Sequence, residues 1–432
     1  MSKLSFPKSL ISLLPLLALY IGVVLLFSSN NFFGDESRHF HYAQNLTQGF
    51  YENTENPNLR NGPGYPLVLA PFVALETAFI FPKLFNALLL FFAIVYFKKT
   101  IDLFTNNKYS ILLVYMLGLY PPIIRYVPLL YSEPLAYFLF CGMAYHFCKL
   151  FLKEQINWKQ VFIASFFLAF LVLTKIIYLQ VIFVSFLFLA VILIWKKNNE
   201  SKKSLLVLLG GLILIAPYLF YTYSLTGKAF YVGTGGGEIL YHRSTPFENE
   251  FGSWFSKEDV LYGQDKGYVP TSDVYDDLSQ LSKNHREFYL SLESMSHMER
   301  DSAFKAAAIQ NMKDHPVKYF KNTIANIGRF VFHYPFSYRS QTLNTYGFML
   351  PNVILLFLWV LSLYPFFLAR KQFPYAIQAL MVFSLIYAGG IILLDARARH
   401  SLIMAPALIL FFGYVYTRIV TIKIDKEVKG TV

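Results

Sequence analysis

The sequence predicts an all-α polytopic membrane protein, and three observations carry that prediction. Of 432 residues, 55% are hydrophobic and 18% aromatic, while only 15% are charged; with a mean hydropathy of +0.43, this is not the balance of a soluble domain. The apolar residues gather in runs of roughly 20, the length a helix needs to cross about 30 Å of hydrocarbon. Between the runs, lysines and arginines fall in short clusters, as they do in cytoplasmic loops. Backbone polar groups inside lipid must bond within their own segment, so the runs are helices. The formal charge of +12 belongs to those loops and gives no reason to expect a nucleic-acid partner.

Each element follows in order. The run from about Ser9 to Ser28 exceeds a signal-peptide core and lacks a small-residue cleavage site, which makes it an uncleaved first span. Lys3 and Lys8 place the N-terminus in the cytoplasm, so residues 29–64 form an outer loop. That loop closes on Arg60-Asn-Gly-Pro-Gly-Tyr-Pro66, a turn-rich return to the membrane. Residues 65–97 are long for one helix, are interrupted by Pro71 and Pro82, and contain Glu76 and Lys83. Because Lys98, Lys99 and Lys108 must lie inside, this stretch is expected to be a short half-inserted helix followed by a full span. A span from Tyr109 to Ile124 leads out, placing Arg125 to Glu133 outside, and one from Leu135 to Leu152 leads in, to Lys149, Lys153 and Lys159. Residues 161–195 are apolar except at Thr174-Lys175, the expected tip of an outer hairpin.

Lys196, Lys197, Lys202 and Lys203 are inside again, and Ser204 to Tyr223 crosses outward. Residues 225–345 change character. They hold a glycine-rich stretch, Gly233 to Glu238, an acidic run at 273–277 and a helix-like segment from Glu299 to Asp314, and are expected to form an extracytoplasmic insert. Three spans follow near 347–369, 375–394 and 400–418. Arg370 and Lys371 are inside, Asp395-Ala-Arg-Ala-Arg-His400 is outside, and the tail with Arg418, Lys423 and Lys426 is inside. The expected organisation is thus 1–224, 225–345 and 346–432, with about ten to twelve transmembrane helices and both termini cytoplasmic. Cys141 and Cys148 lie seven positions apart on one helix, about 10 Å between Cα atoms, too far for a disulfide.

This threading brings Asp35, Glu36, Glu133, Lys175, Arg397, Arg399 and His400 to one membrane face. Charge at such a boundary needs a partner, water or a chemical task. Asp35 or Glu36 can deprotonate an attacking hydroxyl, or bind a divalent cation that orients a phosphate. Alternatively, Asp35 caps the helix beginning near Ser37 or pairs internally with Arg38 and His39 on one helical face. Glu133, in Tyr131-Ser-Glu-Pro134, either complements a helix dipole or supplies a second carboxylate. Lys175 either snorkels or neutralises a lipid phosphate. Arg397, Arg399 and His400 can do the same, since guanidinium forks match phosphate oxygens, unless Asp395 claims one of them. The glycine-rich stretch follows no Walker pattern; a flexible loop is expected there in preference to a nest of amides.

In this order, Gly34-Asp-Glu-Ser-Arg-His-Phe-His-Tyr-Ala43, Gly62-Pro-Gly-Tyr-Pro-Leu67, Tyr131-Ser-Glu-Pro134, Leu173-Thr-Lys175 and Arg397-Ala-Arg-His-Ser-Leu-Ile-Met-Ala-Pro406 resemble the GT-C membrane glycosyltransferases. The branch in question holds the protein O-mannosyltransferases and the bacterial lipid A aminoarabinose transferases. The resemblance implies a GT-C-like bundle, a polyprenyl-phosphate-sugar donor and a glycan, lipid or protein acceptor; the uncleaved first span and the small size point to a bacterial inner membrane. It implies that the acidic pair of the first outer loop, here Asp35 and Glu36, is catalytic, with Glu133 beside it. Lys175, Arg397, Arg399 and His400 would bind the donor phosphate, and Arg38, His39 and Tyr65 would contact substrate. A divalent cation, if one is used, would sit on Asp35, Glu36 and Glu133. The chain departs from the family at Arg60-Asn-Gly-Pro-Gly-Tyr-Pro66, where relatives often read Lys/Arg-Pro-Pro-Leu-Tyr.

Other functions compete with the transferase. A flippase or transporter of a lipid-linked saccharide predicts internal repeats and ionisable residues at the bilayer midplane; neither is evident in the sequence. A polymerase or ligase using a diphosphate-linked glycan would differ in donor. A non-catalytic membrane subunit predicts that Asp35→Asn is silent.

Overall fold

The computed structural model describes residues 8–105, 107–196, 199–265, 267–269, 275, 278–334 and 343–420. Lys3, Lys197, the acidic residues of 273–277, Lys423 and Lys426 lie outside these. Among the described residues there is helix and no strand.

The membrane part begins with α1 (Leu14–Phe27), followed by α2 (Glu36–Thr47) in the first outer loop. The doubtful stretch resolves into α3 (Gly64–Ala74) and α4 (Ile80–Asp102). Eleven residues of helix rise only about 16 Å, too little to cross, so α3 has the length of a half-inserted element and α4 that of a full span. Next come α5 (Asn107–Gly118), α6 (Glu133–Leu150), α7 (Trp158–Thr174), α8 (Tyr178–Lys196) and α9 (Asn199–Thr226). The expected single span Tyr109 to Ile124 is instead broken after Gly118, because Pro121 and Pro122 start a separate turn at Pro121–Ile124. The insert contains α10 (Gly236–Arg243), α11 (Lys257–Tyr262), α12 (Leu278–Ser291), α13 (His297–Asp314) and α14 (Pro316–Phe332). The chain finishes with α15 (Leu343–Leu368), α16 (Tyr375–Leu393) and a segment that turns through Ala398–Ser401 and Leu402–Met404 into α17 (Ala405–Tyr414).

Among the described residues six helices are long and apolar enough to cross a membrane, with four shorter apolar helices beside them. The chain is an integral membrane protein. Helix α6 is in neither group because it carries polar residues. It is buried along most of its length, with Leu135, Phe140, Cys141 and Cys148 almost inaccessible, so protein surrounds most of it. The spans and insert have separate cores. One runs from α1 through α17; the other gathers Tyr241, Phe255, Leu281, Tyr289 and Phe304 within the insert.

The loops expected in the cytoplasm meet at one end. Lys203 donates to the carbonyl of Lys153 at 2.5 Å, and Arg418 to that of Phe104 at 2.7 Å. The candidate site lies at the other end.

Candidate active site

Asp35 sits in the N-terminal cap position of α2, but its side chain does not cap. One carboxylate oxygen accepts from Arg38, one turn on, at 2.7 Å; the other accepts from Arg399, 364 positions away, at 2.8 Å. Its backbone N–H donates to the Tyr131 hydroxyl at 3.2 Å. This approach depends on Gly34, whose φ is +56° and where a Cβ would run into that hydroxyl. Burial pushes the Asp35 carboxyl up, but Arg399 and Arg38 outweigh it and hold the group well below the usual carboxylate range.

Glu133 opens α6 and lies beside this pair. Its carboxylate accepts from Lys175 at 2.9 Å. Lys175 caps the C-terminus of α7, at the hairpin tip where the sequence placed it. What carries that tip to the site is the return motif: a Cβ on Gly62 or Gly64 would overlap the Leu173 carbonyl or Thr174. The two glycines of the return motif therefore have a packing role: they let the tip press against the first outer loop.

The remaining predicted residues divide. Arg38 is held by Asn61 as well as Asp35. His39 is buried and packs edge-on against Tyr65 with ring centroids 5.2 Å apart; burial takes its imidazole down to about 4, so it is neutral. Tyr65 is buried and exchanges hydrogen bonds with Asn86. Glu36 is 1% exposed and accepts from the backbone N–H of Phe33 at 2.7 Å and of Leu130 at 2.6 Å, with Lys83 at 3.6 Å. It fastens the outer loop to the segment before α6 and offers nothing to a ligand. Neighbouring positions at a helix start point about 100° apart, which is why Asp35 and Glu36 face different surroundings.

Of the late basic group, only Arg399 reaches Asp35. Arg397 lies 3.4 Å from Asp395 and 5.0 Å from the centre of the Trp254 ring. His400 accepts from the Arg397 backbone N–H at 3.2 Å, closing its own turn. Asn326 on α14 sets this turn: its amide donates to the carbonyl of Ile392 at 2.7 Å and its oxygen accepts from the N–H of Ala396 at 3.1 Å. Tyr131, Asn326 and Trp254 were not singled out in the sequence as site residues. Only Tyr131, which opens Tyr131-Ser-Glu-Pro134, carries a local signal.

Among the described residues no group of three or more His, Cys, Asp or Glu side chains is placed to hold a metal ion. Asp35 and Glu133 both face cations, and Glu36 lies behind them, so these three carboxylates do not form a divalent-cation set as they stand.

The glycine-rich stretch is ordered by an anion after all. The N–H groups of Gly235 and Gly237 both donate to Asp301, at 2.8 and 2.7 Å, making a small amide nest filled by the protein's own carboxylate. Arg60 pairs with Glu238 at 2.5 Å, which ties the insert to the first outer loop just above Arg38.

Fold and site together define a membrane protein with a polar, cation-rich centre at one end of its helical bundle. No protein-family profile matches the chain, and no curated protein matches it by sequence. Among solved structures, the archaeal oligosaccharyltransferase AglB from Archaeoglobus fulgidus, in complex with an inhibitory peptide and a dolichol-phosphate, superposes at a TM-score of 0.50. The match has 11% identity and covers 93% of this chain and 50% of that one. ArnT from Cupriavidus metallidurans, bound to undecaprenyl phosphate, covers 94% and 77% at 8% identity, with a TM-score of 0.39. The first likeness shows the fold, that of the GT-C membrane glycosyltransferases, in a chain spanning about half the length of that structure.

Proposed function

We propose that the chain is an integral-membrane glycosyltransferase that moves a sugar from a polyprenyl-phosphate donor to an acceptor hydroxyl on the extracytoplasmic face. The observation that carries this is the meeting of Arg38, Asp35, Arg399, Glu133 and Lys175 from four separate parts of the chain. Three cations on two carboxylates leave one positive charge, the complement of a phosphodiester. That the fold occurs in a protein solved with dolichol-phosphate supports a lipid-linked donor.

Each cation is held on a carboxylate until the donor arrives, Arg399 on Asp35 and Lys175 on Glu133. The donor phosphate competes for both. As Arg399 turns to it, Asp35 loses a counter-ion, and its basicity rises where a base is needed. The acceptor oxygen then bonds to the anomeric carbon while the bond from that carbon to the phosphate oxygen breaks. The hydroxyl proton passes to Asp35, and the electron pair leaves with the lipid phosphate, stabilised by Lys175 and Arg399. A single displacement inverts the anomeric centre. Glu36, Asn326 and Tyr131 are positioning residues for this set, and both chain termini lie on the cytoplasmic side.

The test is transfer of label from a polyprenyl-phosphate-sugar pool to membrane extract by purified protein in lipid, with the anomeric configuration of the product read by NMR. Transfer with inversion is expected. Retention would remove the single displacement, and absence of transfer across several donors would favour the flippase or the non-catalytic subunit.

A further inference from the structure

Directly above Arg38, a cleft of about 280 Å³ lies between the first outer loop and the insert, close to the lower limit of ligand sites. Arg38, Asn58 and Arg60 form one wall; Trp254, Glu258 and Tyr289 belong to the other. We infer that this cleft is the acceptor subsite and that its ligand is a neutral saccharide, an assignment that rests on the transferase function proposed above.

Three features select that ligand. First, the formal charges of the walls balance, with Arg38, Arg60, Lys257 and Arg300 set against Glu238, Glu258, Glu293 and Asp301, and two of these sets are direct pairs, Arg60 with Glu238 at 2.5 Å and Lys257 with Glu293 at 3.1 Å. Asp301 is held by the Gly235 and Gly237 amides and by the Tyr231 hydroxyl at 3.0 Å. Walls of this kind present donors and acceptors side by side without a net field, which suits hydroxyl groups and gives an anionic headgroup no advantage. Second, Trp254 is half-buried and contributes to the cleft, while the Arg397 guanidinium packs on its ring and fixes the indole. A fixed aromatic face stacks against the C–H face of a pyranose. Third, the described walls contain neither a strand edge nor an apolar groove, the two surfaces on which peptides most often dock.

The same residues connect the cleft to the chemistry. Arg38 is at once part of its wall and a partner of Asp35. Arg397, which holds Trp254, stands two positions before Arg399, the other partner of Asp35. The cleft that Trp254 lines is thus joined to Asp35 through Arg38, which belongs to both.

Saturation-transfer NMR on the full chain in lipid nanodiscs, without donor, tests this. The probes are the methyl glycosides of glucose, galactose, mannose and N-acetylglucosamine with matching disaccharides, beside a serine-rich hexapeptide. At least one saccharide is expected to receive saturation at its ring C–H protons in the wild-type protein. Trp254→Ala should weaken that saccharide at least tenfold, and Trp254→Phe, which keeps an aromatic face, should retain most of the affinity. The proposal is overturned if no saccharide binds, if only the peptide binds, or if a folded Trp254→Ala binds saccharide as well as wild type. Because no donor is used, saccharide binding by a protein that never transfers sugar would sink the transferase function and leave the cleft a saccharide site without an acceptor role. Transfer confined to a peptide or simple lipid would do the reverse.

Discussion

Two polar networks in this protein look alike in composition and differ in what they can do. At the membrane face, Asp35 and Glu133 bond to Arg38, Arg399 and Lys175, whose side chains keep 32%, 22% and 25% of their surface exposed. In the insert, Glu250 accepts from Thr245 at 2.5 Å and Asn284 at 2.8 Å, and meets His285 at 3.0 Å, with the acid and imidazole side chains 2% and 1% exposed. The insert network has neutral partners or a single imidazole, and it is closed to solvent. The membrane-face network uses permanent cations that a ligand can reach. A closed network fixes a structure; one whose charges can change partners can bind and release a phosphate.

The largest expected effect sharpens that contrast. Asp35→Asn should lower transfer by about 10²–10⁴ in protein that still inserts and folds, with only a modest fall in melting temperature because Arg38 and Arg399 stay partly solvated, whereas Glu250→Gln should lower the melting temperature and leave kcat of the folded enzyme within a few-fold. Equal loss of kcat in both, measured on folded protein, would erase the distinction. Glu36→Gln should behave like the insert network although it adjoins Asp35. It strands Lys83, and breaking a buried pair costs about 3–5 kcal/mol. Thermal melts would show this, and a stable but inactive Glu36→Gln would return Glu36 to the chemistry.

Lys175→Ala should raise the donor KM about tenfold, roughly 1.4 kcal/mol, and Lys175→Arg should recover most of it. A fall in kcat alone would mean that Lys175 only shapes Glu133.

The smallest effect is a pH response of the insert. Burial takes His242 from 6.5 down to about 3, and Glu250 also sits below its ordinary value because its hydrogen bonds from His285, Thr245 and Asn284 outweigh burial. Between about pH 6.5 and 3 the unfolded chain binds the His242 proton and the folded chain does not. Stability from this group is thus complete well above pH 6.5 and falls with acid, by roughly 1.4 kcal/mol at pH 5.5. Glu250 adds to the loss as pH drops below 4.5 through its lower folded value. Protection factors in α10 and α12, which correct for the pH dependence of intrinsic exchange, should fall by about tenfold between pH 7.5 and 5.5, and unchanged protection factors would contradict it.

Much of the fold was legible because its causes are local. Apolar run length gave α4, α8, α9, α15 and α16, and the lone polar pair Thr174-Lys175 marked the tip between α7 and α8. Pro121-Pro122 should have divided the span ending at Ile124, and its apolar neighbours outweighed that signal. The site was legible in part. Asp35, Glu133, Lys175 and Arg399 were named, but their pairing across as many as 364 positions is set by tertiary packing. Arg397 and His400 share a short segment with Arg399, and only the turn clamped by Asn326 decides which of the three faces Asp35. Trp254 lies in a stretch with no periodic or motif signal, so its place above Arg38 emerges only when the insert folds onto the outer loop.

The central claim is that the cations of this site are lent to carboxylates and taken by the donor phosphate. Affinity for polyprenyl phosphate, measured by titration into wild type and Asp35→Asn in nanodiscs, tests it most directly. Removing the competing carboxylate frees Arg399, so Asp35→Asn should bind the lipid phosphate several-fold more tightly while its transfer falls by about 10²–10⁴. Weaker binding than wild type, or transfer at the wild-type rate in Asp35→Asn, would contradict the account.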